Sequence, residues 1–445
     1  MAAATPSGPV GPTGWRFALR ALRHRNYRLF FGGQGISLIG TWMTRFATGW
    51  LVYRLTGSAI LLGVVGFAGQ VPTFLAAPFA GVWVDRWNRH RVLVATQTLA
   101  MLQSFGLAVL ALTHITIPEI IGLSVFQGLI NAFDMPARQT FLVDLVEQRE
   151  DLGNAIALNS SLVNVARLLG PAIAGVIIAL WGEGYCFLMD GFSYLAVIVS
   201  LLAMRRLPRR ARPARAGMLT ALREGWNYVS GFAPARALLL LLALVSLVGM
   251  PYSVLMPIFA GTVLHGGPHT FGFLMGAAGC GALVAAIRLA ARKSVRGLTR
   301  LVPISAAMFG AGLVGFGLSR WLWLSLPLIF LAGMGMIQQM ASTNTILQTV
   351  AGEQMRGRVM SYYTMAFVGM APWGSLLAGT LASRIGAPHT LLLNGTCCLL
   401  GAAWFMTRLP SVRAAIRPVY QELGILPELT RGLEAAAVLT TPPEE

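Results

Sequence analysis

Apolar runs of membrane-spanning length recur along almost the whole chain, separated by short polar gaps. A bilayer core is ~30 Å thick, so a spanning helix needs roughly 20 mostly apolar residues. Twelve such runs predict helices over 27–53, 59–83, 92–113, 117–138, 157–180, 185–204, 236–260, 271–291, 301–319, 322–348, 360–382 and 390–407. The first run is too long for a removable signal peptide and lacks an A-x-A cleavage site, so no leader is expected.

The gaps alternate in charge. Basic residues crowd 85–91 (Arg86, Arg89, Arg91), 205–235 (Arg205 to Arg223), 288–300 (Arg288 to Arg300) and 353–358 (Arg356, Arg358). The gaps between them hold only scattered charges such as Arg54, Glu119 and Arg320. Cytoplasmic loops of membrane proteins are enriched in Arg and Lys, so both termini are expected inside. The 139–156 gap breaks the trend, with Asp144, Glu147, Glu150 and Asp151 against Arg149. Acidic residues carry little weight in that rule, and the topology stands.

The 205–235 stretch divides the predicted helices six and six. The expected layout is a cytoplasmic N-terminal tail 1–25, a bundle 26–204, a basic linker 205–235, a bundle 236–408 and a cytoplasmic tail 409–445. Residues 15–23 are expected as a basic amphipathic turn or two on the inner membrane surface, and the leucines after 422 as a short amphipathic helix. An internal repeat appears at an offset of 204 residues: Gly170–Gly175 aligns with Gly374–Gly379, and Asp190-Gly191 with Asn394-Gly395. Six helices per unit is an even number, so the units keep one orientation. The expectation is an all-α integral membrane protein, twelve transmembrane helices as two parallel six-helix repeats.

Composition agrees. The 445 residues are 56% hydrophobic and 11% charged, against ~25% charged in a typical soluble domain. The net charge of +18 would point a soluble protein toward nucleic acid. Here the positive-inside rule accounts for it, and no nucleic-acid partner is expected. Cys186, Cys280, Cys397 and Cys398 lie in or beside apolar runs without a CxxC pair, so structural thiols are expected and no metal. Phosphate loops, paired acids and nucleophile elbows are missing from the sequence, so neither an enzyme nor a cofactor is expected.

The most specific local motif is Gly81-Val82-Trp83-Val84-Asp85-Arg86-Trp87-Asn88-Arg89-His90-Arg91. It resembles the G-x-x-x-D-R-x-x-R-(K/R) loop of the major facilitator superfamily, with His90 a small departure. The resemblance implies the major facilitator fold and a conformational latch of Gly81, Asp85, Arg86, Arg89 and Arg91. Gly170-Pro171-Ala172-Ile173-Ala174-Gly175 resembles the antiporter signature G-P-x-x-G-G, Ala174 replacing one glycine. That implies export, with Gly170, Pro171 and Gly175 as a packing motif. Asn26–Phe30, Asp134–Gln139, Asn154–Ser160 and Arg356–Met360 look like the bacterial efflux branch that contains macrolide and enterobactin exporters.

Polar stripes give an independent argument. At 100° per residue, Gln34, Ser37, Thr41, Arg45 and Thr48 share a face of the first helix. Gln127, Asn131, Asp134 and Arg138 share one of the fourth, Ser160, Asn164 and Arg167 one of the fifth, and Gln338, Ser342 and Thr345 one of the tenth. Polar faces avoid lipid, so they line the interior or a water-filled cavity. In the superfamily the first, fourth, seventh and tenth helices line the cavity. The candidate transport path is therefore Gln34, Thr41, Arg45, Gln127, Asn131, Asp134, Arg167, Gln338 and Ser342.

A charge at the bilayer centre costs ~2.5–3.5 kcal/mol, so Arg45 and Arg167 need partners or a function. Arg45 could attract an anionic substrate, and Arg167 could pair with Asp134 or other polar groups. Asp134 has Arg138 one turn away as an ion-pair partner. Asp190, an acid inside a predicted helix, is a candidate proton carrier, but its repeat counterpart Asn394 favours a polar structural position.

These readings predict a monomeric secondary transporter of the bacterial inner membrane that exports small amphipathic compounds, of the drug or siderophore class, by proton antiport. Substrate would bind near the midplane between the bundles. A lysophospholipid transporter and a non-transporting sensor or assembly factor are the other classes the sequence leaves open.

Overall fold

The computed structural model describes residues 19–146, 148–205, 218–292 and 294–425, and for Pro78, Val82, Asp85, Arg149 and 218–222 the backbone only. Every regular element among them is helical. Lipid offers backbone groups no hydrogen-bond partners, and a helix satisfies its own.

Six long helices come first: α1 (Arg25–Thr56), α2 (Ala59–Arg86), α3 (Arg89–Leu112), α4 (Ile117–Leu145), α5 (Leu152–Trp181) and α6 (Glu183–Leu202). A short helix α7 (Met218–Gly231) follows. Six more follow among the described residues: α8 (Ala233–Val263), α9 (Pro268–Ala290), α10 (Leu298–Leu318), α11 (Leu322–Val350), α12 (Glu353–Ile385) and α13 (Ala387–Glu422). Among the described residues eleven helices are long and apolar enough to cross a membrane. Besides the short α7, the helix outside that set is α1, whose 32 residues suffice in length but carry the polar stripe.

The elements stop and start where local chemistry dictates. Asn88 caps α3 by accepting the Arg91 N–H at 3.3 Å. Glu119 accepts the Thr116 N–H at 2.7 Å, fixing the start of α4. Gly182 (φ 93°) turns α5 into α6, and Gly386 (φ 81°) turns α12 into α13. A side chain is strained at such φ, and the two glycines stand 204 residues apart, so the sharp turn repeats with the sequence.

Packing repeats as well. A Cβ on Gly170 would meet Trp42 Cβ at 2.5 Å and Met43 N at 3.2 Å. A Cβ on Gly374 would meet Leu247 O at 2.2 Å, and Leu247 is the repeat counterpart of Met43. The small residues of the Gly-Pro motif therefore seat the fifth helix of each half against the first. Gly191 lies against Phe105, and Gly395 against Gly310, seating the sixth helix against the third.

The chain divides into two compact units with boundaries at Thr48/Gly49, Val71/Pro72 and in the basic linker. The first unit holds residues 19–48 and 72–205. Its core is the cluster of Phe30, Val84, Leu93, Phe141, Leu145 and Leu201. The second unit holds α7 to α13 and Gly49–Val71. There a Cβ on Gly63 would meet Gly379 Cα at 3.0 Å, and a Cβ on Gly379 would meet Gly63 Cα at 2.8 Å. Trp50 stacks on Phe271 at 6.1 Å, and the Tyr53 and Thr262 hydroxyls lie 2.9 Å apart.

Three stretches differ from expectation. The 205–235 gap contains α7, held by an ion pair from Glu224 to Arg358 and by Trp226 against Tyr362. The last helix runs through Pro410 and Pro418 to Glu422 instead of stopping near 407. Residues Arg20–Arg23 form a 3-10 turn gripped by Asp151, while Trp15, Phe17 and the leucines after Ile425 lie outside the described residues.

Candidate functional site

Four polar assemblies occupy the first unit. The first surrounds Asp151, whose side chain is 3% exposed. Arg20 Nε lies 3.1 Å from its Oδ1, and Arg23 Nη2 and His24 Nε2 lie 2.8 and 2.9 Å from its Oδ2. Asn154 Oδ1 accepts the Ala21 N–H at 3.0 Å, and the Tyr27 hydroxyl donates to Ala155 O at 3.0 Å. Burial alone would raise the Asp151 carboxyl, but the hydrogen bond from His24 and the charge of Arg23 outweigh it and hold the group below the usual carboxylate range.

The second assembly contains the sequence motif. Arg89 donates to Asp144 Oδ2 at 2.6 Å, with both side chains largely buried. His90 Nε2 lies 2.7 Å from Leu201 O. Arg86 and Arg91 are exposed, and a Cβ on Gly81 would meet nothing within 4 Å. Two of the four acids that broke the charge alternation are thus accounted for: Asp144 and Asp151 each bind basic residues from another segment.

The third assembly joins α1, α3 and α4. Asp134 is 4% exposed, and its Oδ1 accepts from the Thr96 hydroxyl at 2.9 Å and Gln97 Nε2 at 2.7 Å. Its Oδ2 accepts from Arg138, as the one-turn spacing predicts, and Arg138 also donates to Gln34 Oε1. Gln127 donates to Asn131 at 3.2 Å further along α4.

The fourth joins α1, α3, α5 and α6. The Arg45 and Arg167 guanidiniums both lie over Trp42, 5.3 and 5.1 Å from the ring centroid. Thr41 donates to Ser37 O at 3.0 Å and lies 3.3 Å from the Tyr194 hydroxyl. Asp190, 1% exposed, accepts from Thr44 at 2.8 Å and Ser104 at 2.7 Å. Gly40 makes room for it, since a Cβ there would meet Asp190 Oδ1 at 2.5 Å. The polar structural reading of Asp190 agrees with this hydroxyl cradle.

The structure therefore joins Gln34 with Asp134, and Arg45 with Arg167. Gln338 and Ser342 sit buried on α11 in the second unit, the Ser342 hydroxyl without a partner. Sequence reasoning missed Trp42, Thr96, Gln97 and the Arg89–Asp144 pair. Helical spacing reveals neighbours on one helix only, so partners on other helices left no signal. Gly170, Pro171 and Gly175 are buried within α5.

Helices with polar interior faces, repeated in two units, define a multi-pass membrane transporter of the major facilitator fold. The chain matches the transmembrane secretion effector family over residues 17–423 and belongs to it. It is 27% identical to the staphyloferrin A transporter of Staphylococcus aureus, covering 86% of this chain and 96% of that protein. It is 24% identical to macrolide efflux protein A of Streptococcus pyogenes, covering 84% and 94%. A bacterial homologue of the human lysosomal transporter Spinster shares the fold with a TM-score of 0.70 at 13% identity, covering 88% of this chain and 98% of that one. The resemblance to macrolide exporters drawn from the motifs thus holds over nearly the full length.

Proposed function

We propose that this transporter exports small amphipathic compounds, of the drug or siderophore class, across the bacterial inner membrane by proton antiport. The observation that carries the reading is the polar interior of the first unit. Gln34, Thr41, Arg45, Gln127, Asn131, Asp134 and Arg167 stand on helices whose other residues are largely apolar. Maintaining such groups inside a membrane is costly, and a transport path is the use that repays it. The efflux and siderophore-transporter names of the relatives support the export direction and the substrate class.

In this reading 26–204 and 236–408 act as two bundles joined by the linker 205–235, with the tails 1–25 and 409–445 cytoplasmic and the protein a monomer. Gly81, Asp85, Arg86, Arg89 and Arg91 form a latch that holds one state of an alternating-access cycle. Arg89–Asp144 is the part of the latch formed in this state, and Gln338 and Ser342 line the path in the second bundle.

The test is accumulation of fluorescent dyes, macrolides and catechol siderophores in efflux-deficient cells, with and without a protonophore. Lower accumulation that the protonophore reverses is expected. Unchanged accumulation of every compound, with surface expression confirmed, contradicts export and favours lipid transport or a non-transporting role.

A further inference from the structure

We infer that Arg45, Trp42 and Arg167 form a binding site for the carboxylate of an aromatic or otherwise flat organic anion. The inference rests on the transport reading for its purpose, but the site itself is a matter of geometry. Two cations from different helices converge on one indole, Arg45 from α1 and Arg167 from α5. Gly170 permits the convergence, because it lets α5 approach the Trp42 Cβ where a larger residue would push the helices apart.

Charge makes the arrangement unusual. Two like charges held at one ring repel each other, and the repulsion is stronger inside a membrane than in water. Asp190 and Asp134 of the same unit are held by other groups, Asp190 by Thr44 and Ser104, Asp134 by Thr96, Gln97 and Arg138. Arg45 is exposed and makes no hydrogen bond or ion pair with the described residues. Its planar fork presents several donors in the geometry that matches a carboxylate with two parallel hydrogen bonds. Trp42 supplies the other half of the recognition. Its ring orients both guanidiniums and adds a flat apolar surface beside them. A ligand that satisfies the whole site has a carboxylate next to a planar apolar body.

The experiment uses the full-length protein in nanodiscs of neutral phosphatidylcholine. Probes are a panel of fluorescent aromatic acids, including fluorescein and pyrenebutyrate, each compared with its methyl ester by fluorescence polarisation. At least one acid is expected to bind about tenfold or more tightly than its ester, since charge-assisted hydrogen bonds are at stake. Arg45→Gln is expected to abolish that preference and Arg45→Lys to restore part of it. Arg167→Gln serves as a second variant, with monodispersity on gel filtration as the control for folding. Equal binding of acid and ester across the panel overturns the inference. So does an acid preference that survives in both Gln variants, or acid binding that vanishes once anionic phosphatidylglycerol is added, which marks a lipid-phosphate site. The measurement needs no gradient. Failure of export in cells leaves it standing, and equal binding here leaves export of neutral compounds standing.

Discussion

Arg89 and Asp144 form a largely buried ion pair, 2.6 Å long, between the start of α3 and the end of α4. Removing one partner breaks a charge-assisted bond in a site with little water. Asp144→Asn is therefore expected to cost roughly 3 kcal/mol and to lower the melting temperature in detergent. The double exchange Arg89→Asp with Asp144→Arg is expected to recover part of that loss. A melting temperature unchanged in Asp144→Asn refutes a structural role for the pair.

The latch reading makes a separate claim about Asp85. Asp85→Asn is expected to insert and fold as the wild type does, yet to lower transport at least tenfold, because a carboxylate among Arg86, Arg89 and Arg91 is lost. Transport assays at matched surface expression decide it. Wild-type efflux from this variant ends the latch idea.

Asp151 anchors the N-terminal segment, and its anchorage depends on pH with a definite sign. Its carboxyl sits below the ordinary value of 3.8 in the folded protein. A lowered folded pKa gives stability that is fully present above the unfolded pKa and lost as pH falls through the folded one. The melting difference between wild type and Asp151→Asn should shrink as pH falls below about 4. A difference that grows as pH falls through that range contradicts the assignment.

Gly63 and Gly379 touch backbone to backbone within the second unit. A Cβ on Gly379 would meet Ala59 O at 2.7 Å and Gly63 Cα at 2.8 Å, and backbone cannot swing aside as a side chain can. Gly379→Ala is expected to cost ~1–3 kcal/mol through overpacking. Gly122→Ala, whose Cβ would meet nothing within 4 Å, is the matched control and should leave the melting temperature unchanged or raise it.

The spans were legible because a run of apolar residues long enough for a bilayer is a strong, local signal. The 204-residue repeat was legible for a related reason: Gly170 and Gly374, and Gly191 and Gly395, sit at close helix approaches where larger residues do not fit. The linker helix α7 was not, because its charged residues read as a topogenic loop until Glu224 is seen against Arg358. The extension of α13 was hidden by Pro410 and Pro418, which signal a stop in soluble helices but are tolerated in membrane proteins. Within the site, the stripes on α1 and α4 supplied Gln34, Asp134 and Arg138. The sequence offered no route to Thr96 or Gln97, nor to Trp42 as the ring that Arg45 and Arg167 share.

The most direct test of proton-coupled export uses purified protein in sealed vesicles with an acidic lumen and a pH-sensitive dye inside. A macrolide or dye whose accumulation the protein lowers in cells is added outside. The account predicts lumen alkalinisation that requires both protein and compound and that a protonophore pre-empts. Uptake of the compound with no proton movement, at either direction of the pH gradient, contradicts it.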